Sequence, residues 1–131
     1  FLKRISNCYM GINLSRGKPI KYYSSDRIAQ LMGNGIATLI DKKTKLNKLF
    51  SDKEVVFYTS KKDLNKKLNI MINNMNLRNK LAKNGRLKYH KKYNSTIIAD
   101  YIVCKTFGIN KNFYWLKHLH FYSVSCYIPY F

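Results

Sequence analysis

The chain has 131 residues, and its 25 Lys and Arg residues against 6 Asp and Glu residues give a formal charge of +19 at pH 7. One domain is expected, because domains commonly hold about 100 to 150 residues. Its 46% hydrophobic and 15% aromatic content excludes wholesale disorder. No run approaches the ~20 apolar residues of a membrane span, and the N-terminus lacks the apolar stretch of a signal peptide.

The first residue and the cysteines bear on the origin and location of the chain. Because the chain starts at Phe1 rather than at Met, we expect a fragment of a longer protein. Cys8, Cys104 and Cys126 are widely spaced and odd in number, so they are expected to be reduced thiols that hold no metal. A cytoplasmic protein is therefore expected.

The positive charge allows two interpretations. A charge of +19 is typical of a protein that binds nucleic acid or an acidic surface. However, 20 of the basic residues are Lys and 5 are Arg, scattered among many Asn, Ile and Tyr residues, as A- and T-rich coding DNA produces. We favour a solvated basic surface, since no RNP-like aromatic motif, Cys/His finger or Arg-rich arm marks a nucleic-acid site. A peripheral position on the acidic inner face of a membrane stays open.

Strands and helices alternate in the predicted first half. Ser25 precedes the acidic residue Asp26, as at the capped start of a helix. The apolar run Ile36–Ile40 is typical of a buried parallel strand. The predicted elements are a strand over residues 9–14, a helix over 26–32, a strand over 36–40, a short helix capped by Thr44 and running to Phe50, and a strand over 54–58.

The second half is predicted to be helical. Ser60 and Asp63 have the spacing of a capping box for a helix that ends near residues 73–74. A second amphipathic helix is expected from residue 76 to about residue 93, and Ser95 is predicted to cap a third. This order favours the α/β class, a three-layer fold with a parallel sheet and a helical C-terminal end.

The periodicity is lost in residues 109–131, which are rich in aromatic side chains, so no structure is assigned to this tail. We expect the folded domain to occupy residues 1–108 and to be incomplete at its N-terminus. His118 and His120 form an HxH pair in the tail, a spacing that could place two ligands of a metal on one face of a strand. Without a third ligand nearby, a surface or interface role is favoured.

The segment from Ser15 to Gly35 carries the strongest candidate for a binding site. It contains a basic loop with Arg16 and Lys18, a helix start preceded by serines, and a tight glycine turn. A helix N-terminus presents unpaired N–H groups and a partial positive charge. With basic side chains nearby, it can bind a phosphate or diphosphate. A purely structural serine cap is the alternative.

Several motifs in this segment and after it follow a known order. Ser25-Asp26-Arg27-Ile28, Gln30, Met32 and the run Gly35–Ile40 are similar to the pattern S-x-R-hydrophobic-x-E-x-M-x-x-G followed by an apolar strand. Later similarities are Phe50, Glu54–Tyr58, Asp63-Leu64, Arg78–Ala82 and Asn84-Gly85. Over residues 9–107 the chain thus resembles the C-terminal, nucleotide-sugar-binding domain of group 1-like GT-B glycosyltransferases. This resemblance implies a Rossmann-like fold.

The resemblance also implies a function, that of a cytoplasmic glycosyltransferase fragment that is inactive alone. It would bind a nucleotide-diphosphate sugar for transfer to a saccharide or lipid-linked acceptor, and the acceptor would bind to a missing N-terminal domain. Neither a cofactor nor a metal is implied beyond this donor. Helix N–H groups and basic side chains would stabilise the charge that grows on the departing nucleotide. The donor-binding residues would be Arg16, Lys18, Ser24, Ser25, Arg27, Gln30 and Gly35.

Two positions depart from the family pattern. Many relatives carry two Glu residues separated by seven positions, and here these are Tyr22 and Gln30. Gln30 can still hydrogen-bond a ribose hydroxyl, but it supplies no negative charge, and no general base can be named. The alternatives are therefore a small basic nucleic-acid-binding protein and a non-catalytic interaction module of the same fold.

Overall fold

A computed structural model describes residues 5, 7–15 and 17–116 of the chain. The elements are β1 (Met10–Asn13), α1 (Asp26–Gly33), β2 (Ala37–Asp41), β3 (Val56–Tyr58), α2 (Lys61–Asn73), α3 (Met75–Lys92) and α4 (Ser95–Thr106), with 3-10 turns at Lys42–Thr44 and Leu46–Lys48. None of the helices in the described residues is long and apolar enough to cross a membrane.

The three strands form one parallel sheet in the order β1-β2-β3. The central strand is β2, and four of its five residues are buried. Because the strands run in the same direction, their last residues, Asn13, Asp41 and Tyr58, lie at one edge of the sheet, which we call the carboxyl edge. The predicted α/β class with a parallel sheet and a helical C-terminal end is confirmed.

Both faces of the sheet are covered by helices. Side chains alternate between the two faces of a strand, so Ala37 and Ile40 of β2 point in opposite directions. Ile40 packs in a cluster with Ile28 of α1, whereas Ala37 packs with Met71 of α2 and Leu81 of α3. The sheet is therefore the middle of three layers, and each buried aliphatic side chain contributes about 1.5–3 kcal/mol to its stability.

One capping prediction is confirmed and another is wrong. The hydroxyl of Ser60 accepts the backbone N–H of Asp63 at 3.2 Å, as the capping box predicts. Helix α4 is capped by Asn94 rather than by Ser95, because the Asn94 side chain accepts the N–H of Ile97 at 2.9 Å. Asn is as effective a cap as Ser, so the sequence alone does not show which of these two adjacent residues caps the helix.

The short helix predicted from Thr44 to Phe50 is present only as a 3-10 turn at Leu46–Lys48, and its predicted cap is wrong. Another 3-10 turn precedes it and is capped by Asp41, whose carboxylate accepts the N–H of Lys43 at 2.8 Å. Thr44 is buried at the end of that turn, where its hydroxyl donates to the carbonyl of Asp41 at 2.7 Å. Lys45 has a φ of 59° between the two turns, which interrupts a right-handed helix.

The first residues of the aromatic tail pack against the helical end of the fold. Phe113 and Trp115 are buried in a cluster with Cys104 of α4. The ring of Trp115 stacks on the rings of Phe113 and Tyr93, with centroids 5.4 and 5.8 Å apart. The HxH pair and the third cysteine, His118, His120 and Cys126, lie outside the described residues.

Glu54 links the loop before β3 to α3 through an ion pair. Its carboxylate accepts the N–H and the hydroxyl of Ser51 at 2.6 and 2.7 Å, and it pairs with Lys88 at 3.3 Å. Burial by itself raises the pKa of Glu54, but the hydrogen bonds from Ser51 and the charge of Lys88 outweigh burial, so its pKa is lowered.

Glu54→Gln should lower the free energy of unfolding by about 1.5 kcal/mol at neutral pH, since hydrogen bonds to charged groups contribute about 1.5–3 kcal/mol. Because folding lowers the pKa of Glu54, its stabilisation is complete above the unfolded-state pKa and is lost as the pH falls through the folded-state pKa. Urea unfolding at neutral pH and at about pH 3 measures this loss. A difference between variant and wild type that is the same at both pH values would contradict the role of the carboxylate.

Gly85 lets α3 approach the loop before β3. A Cβ at this position would lie 2.9 Å from the carbonyl oxygen of Glu54 and 3.3 Å from the Cε of Met32. Gly85→Ala should therefore lower the free energy of unfolding by about 1–3 kcal/mol through overpacking. Gly33→Ala is the matched control, because a Cβ there has nothing within 4 Å. Its urea midpoint should be no lower than that of the wild type, and equal midpoints for the two variants would refute the close contact.

Candidate functional site

The N-terminus of α1 lies beside the carboxyl edge of the sheet. Asn13, the last residue of β1, is only 1% exposed, and its side-chain oxygen accepts the hydroxyl of Ser25 at 2.8 Å. The guanidinium of Arg27 donates to the carbonyl of Leu14 at 2.8 Å. These two hydrogen bonds hold the first turn of α1 against the end of β1.

Ser25 occupies the N-cap position of α1, but its hydroxyl does not cap the helix. The side chain makes no capping hydrogen bond, because the hydroxyl donates to Asn13 instead. Ser25 therefore lies at the predicted N-cap position, but its hydroxyl does not make the predicted capping hydrogen bond. Since the first N–H groups of an α-helix have no intrahelical partner, the start of α1 presents donors and the positive end of the helix dipole.

The loop between β1 and α1 is fixed to the turn that follows β2. The backbone N–H of Tyr22 donates to the carbonyl of Thr44 at 2.7 Å, and Tyr22 has a φ of 60°. Lys18 and Ser24 are exposed in this loop, and Arg16 lies outside the described residues. The loop therefore carries the exposed cation of Lys18 and ends with the exposed hydroxyl of Ser24 next to the start of α1.

The described residues that were predicted to bind the donor divide between the two ends of α1. Ser24, Ser25 and Arg27 lie at its start, with Lys18 in the loop before it. Gln30 lies farther along α1 and is half-buried. Gly35 follows the other end of α1, about 12 Å from the start at 1.5 Å per residue. Its φ of 72° makes the turn into β2, so Gly35 does not join the others.

The sequence motifs do not predict three polar residues that end the strands at the carboxyl edge, namely Asn13, Asp41 and Tyr58. The amide nitrogen of Asn13 is buried and has no hydrogen-bond partner in the described part of the chain. Burial and the charge of Asp41, its partner in the strand register, raise the pKa of Tyr58. A polar side chain at the last position of an apolar strand is the sequence signal that could have identified Asn13 and Asp41.

The start of α1 has hydrogen-bond donors and the cation of Arg27, together with the carboxylate of Asp26 in the first turn. Helix N–H groups, the hydroxyl of Ser24 and the side chain of Arg27 suit an anionic group with several oxygens, such as a phosphate. No cluster of three or more His, Cys, Asp or Glu side chains that could hold a metal occurs in residues 5, 7–15 and 17–116.

A comparison with protein families supports the resemblance seen in the sequence. A family model described as glycosyl transferase-like matches residues 1–103. The chain belongs to the glycosyl transferase-like family. The match to this family includes all three strands and helices α1 to α3. Neither the curated proteins nor the solved structures contain a match to the chain.

Membership in the glycosyl transferase-like family agrees with the architecture of the chain. In open parallel α/β sheets, ligands bind outside the C-terminal ends of the strands. That is the edge at which β1 ends and α1 begins. The geometry of the sheet therefore favours the start of α1 as the place where a ligand binds.

Ser25→Ala tests the bond that attaches α1 to β1. The change leaves the buried side-chain oxygen of Asn13 without its donor, so the free energy of unfolding should fall by about 1–3 kcal/mol. Ser24→Ala is the matched control, because Ser24 is exposed and such a change should stay within about 0.5 kcal/mol. Urea unfolding measures both variants, and equal stabilities would show that the Ser25–Asn13 bond does not hold the helix.

Proposed function

We propose that the start of α1 binds the diphosphate of a nucleotide-sugar donor and that the chain is the donor-binding part of a GT-B glycosyltransferase. This proposal rests on the position of α1, which begins at the carboxyl edge of a parallel sheet in a chain of the glycosyl transferase-like family. A diphosphate at this position would accept hydrogen bonds from the first N–H groups of α1.

The proposed chemistry is stabilisation of the leaving group. Negative charge grows on the nucleoside diphosphate as its bond to the sugar breaks. The dipole of α1 and its N–H groups are already oriented toward this charge, so they favour the transition state over the ground state. Arg27 uses one N–H on the carbonyl of Leu14 and has other donors for a phosphate, since a guanidinium carries five. Lys18 and Arg16 add cations from the loop.

Gln30 is proposed to contact the ribose. It lies about one helical turn from the start of α1, and its side-chain amide can donate to or accept from a ribose hydroxyl. The Ser24 hydroxyl is proposed to donate to the diphosphate, while Ser25 positions the first turn of α1 through Asn13.

Transfer of the sugar would need a second set of groups. We propose that a saccharide or lipid-linked acceptor binds to a separate N-terminal domain, which would also supply the catalytic base. The chain by itself would then bind the donor without turning it over. The proposed location is the cytoplasm.

Calorimetric titration of the full chain with uridine, guanosine and adenosine diphosphate sugars tests the proposal. One of these donors should bind saturably. Arg27→Ala and Lys18→Ala should each weaken its binding by about tenfold, because a hydrogen bond to a charged group is worth about 1.5–3 kcal/mol. Lys18 is exposed in a loop, so its variant tests binding without disturbing the fold.

Lys105→Ala is the matched control for this titration. Lys105 is an exposed lysine of α4 that belongs to no proposed binding site, and its removal should leave donor affinity unchanged. Equal losses in the Lys18 and Lys105 variants would indicate general attraction to positive charge. If no nucleotide sugar binds, whereas nucleic acid binds with a steep dependence on salt, the chain is a basic nucleic-acid-binding protein instead.

A further inference from the structure

A cleft of about 650 Å³ lies between α3 and the turn that joins α1 to β2. We call it the α3 cleft. Its walls include Asn34 and Gly35 of the turn and Asn79, Lys83, Arg86 and His90 of α3. The α3 residues recur every three or four positions, so one face of the helix lines the cleft. This face is at the opposite end of α1 from the proposed donor site, about 12 Å away along the helix axis.

The α3 cleft carries positive charge without acidic compensation. Helix α3 contains seven Lys and Arg residues and no Asp or Glu. All six acidic residues of the chain are described, and none of them lines the cleft. Lys83 and Arg86 are exposed and have no acidic partner in the described part of the chain. A concave surface with charge of one sign concentrates the field and attracts anions.

Contacts of other residues hold the walls of the α3 cleft in place, so the side chains of Lys83 and Arg86 stay available to a ligand. The Nε2 of His90 donates to the carbonyl of Gly33 at 2.9 Å, which joins α3 to the end of α1. Gly35, with a φ of 72°, lies beside Arg86, and a Cβ there would be in ordinary van der Waals contact with the arginine Cδ at 3.4 Å. Among the described residues, neither Lys83 nor Arg86 donates a hydrogen bond to another side chain or to the backbone.

We propose that the α3 cleft binds a phosphate group that carries an organic substituent, at a site separate from the donor site. A guanidinium matches two phosphate oxygens, and an ammonium adds a compact charge. The side-chain amides of Asn34 and Asn79 supply further donors in the cleft. Leu87, which is 60% exposed and lines the same cleft, offers an apolar contact to the substituent.

Two probes distinguish the sources of such a phosphate. Glycerol 1-phosphate, titrated into the full chain by calorimetry, represents a soluble phosphate ester. Mixed vesicles of phosphatidylglycerol and phosphatidylcholine, in a co-sedimentation assay, represent a lipid headgroup, and vesicles of phosphatidylcholine alone are the reference. Saturable binding of the soluble ester assigns the site to a free ligand. Binding to the acidic vesicles alone assigns it to a membrane headgroup.

The double variant Lys83→Gln and Arg86→Gln should weaken binding of the effective probe by about tenfold or more, because charge-assisted hydrogen bonds to phosphate are roughly twice as strong as neutral ones. The control is Lys66→Gln combined with Lys105→Gln, which removes the same charge from exposed positions of α2 and α4. It should change binding by less than about twofold, since distant exposed charges are screened.

Equal losses in the two double variants would overturn the proposal, and so would failure of both probes to bind the wild-type chain. All four substituted residues are exposed, so both variants should have the circular dichroism spectrum of the wild type. The phosphate probes report on the α3 cleft whether or not a nucleotide sugar binds at the start of α1, so the two proposals can fail separately.

Discussion

Strand β2 is buried on both faces, and this burial determines where the helices pack. Four of its five residues are buried, and parallel neighbours on both sides satisfy its backbone. A strand of this kind must be covered on both faces. Helix α1 packs on one face and α2 and α3 pack on the other, and Tyr89 of α3 also contacts the cluster on the α1 side. The parallel direction then places the ends of all three strands at the carboxyl edge, where α1 begins.

The same helix gives the two ends of the fold different electrostatic properties. The start of α1 has the positive end of the dipole, held against Asn13 by the hydroxyl of Ser25. At its other end, the side chains of Asn34 and His90 donate to the carbonyls of Gln30 and Gly33. These donors, with the cations of α3, compensate the negative end of the dipole. The start of α1 and the α3 cleft are thus two separate places in the fold, and each is proposed to bind a phosphate.

The sequence predicts correctly the elements that depend only on residues close together in the chain. The apolar run of β2 and the Ser60 capping box are of this kind, and the structure contains both. Thr44 failed as a cap because its burial and its bond to Asp41 depend on the packing after β2. At the candidate site, the resemblance predicts donor binding at the start of α1. It does not predict the hydrogen bond that holds α1 to β1, since Ser25 and Asn13 are twelve residues apart. A contact between distant residues leaves no periodicity to detect.

The proposed binding of a diphosphate at the first turn of α1 can be followed residue by residue. The full chain is titrated with uridine, guanosine and adenosine diphosphates, and the backbone amides are observed by NMR. We expect saturating chemical-shift changes with at least one of the three, largest at the backbone amides of Asp26 and Arg27 and small at the amide of Lys105 in α4. If none of the three nucleotides shifts the amides of the first turn of α1 saturably, this turn does not bind a diphosphate.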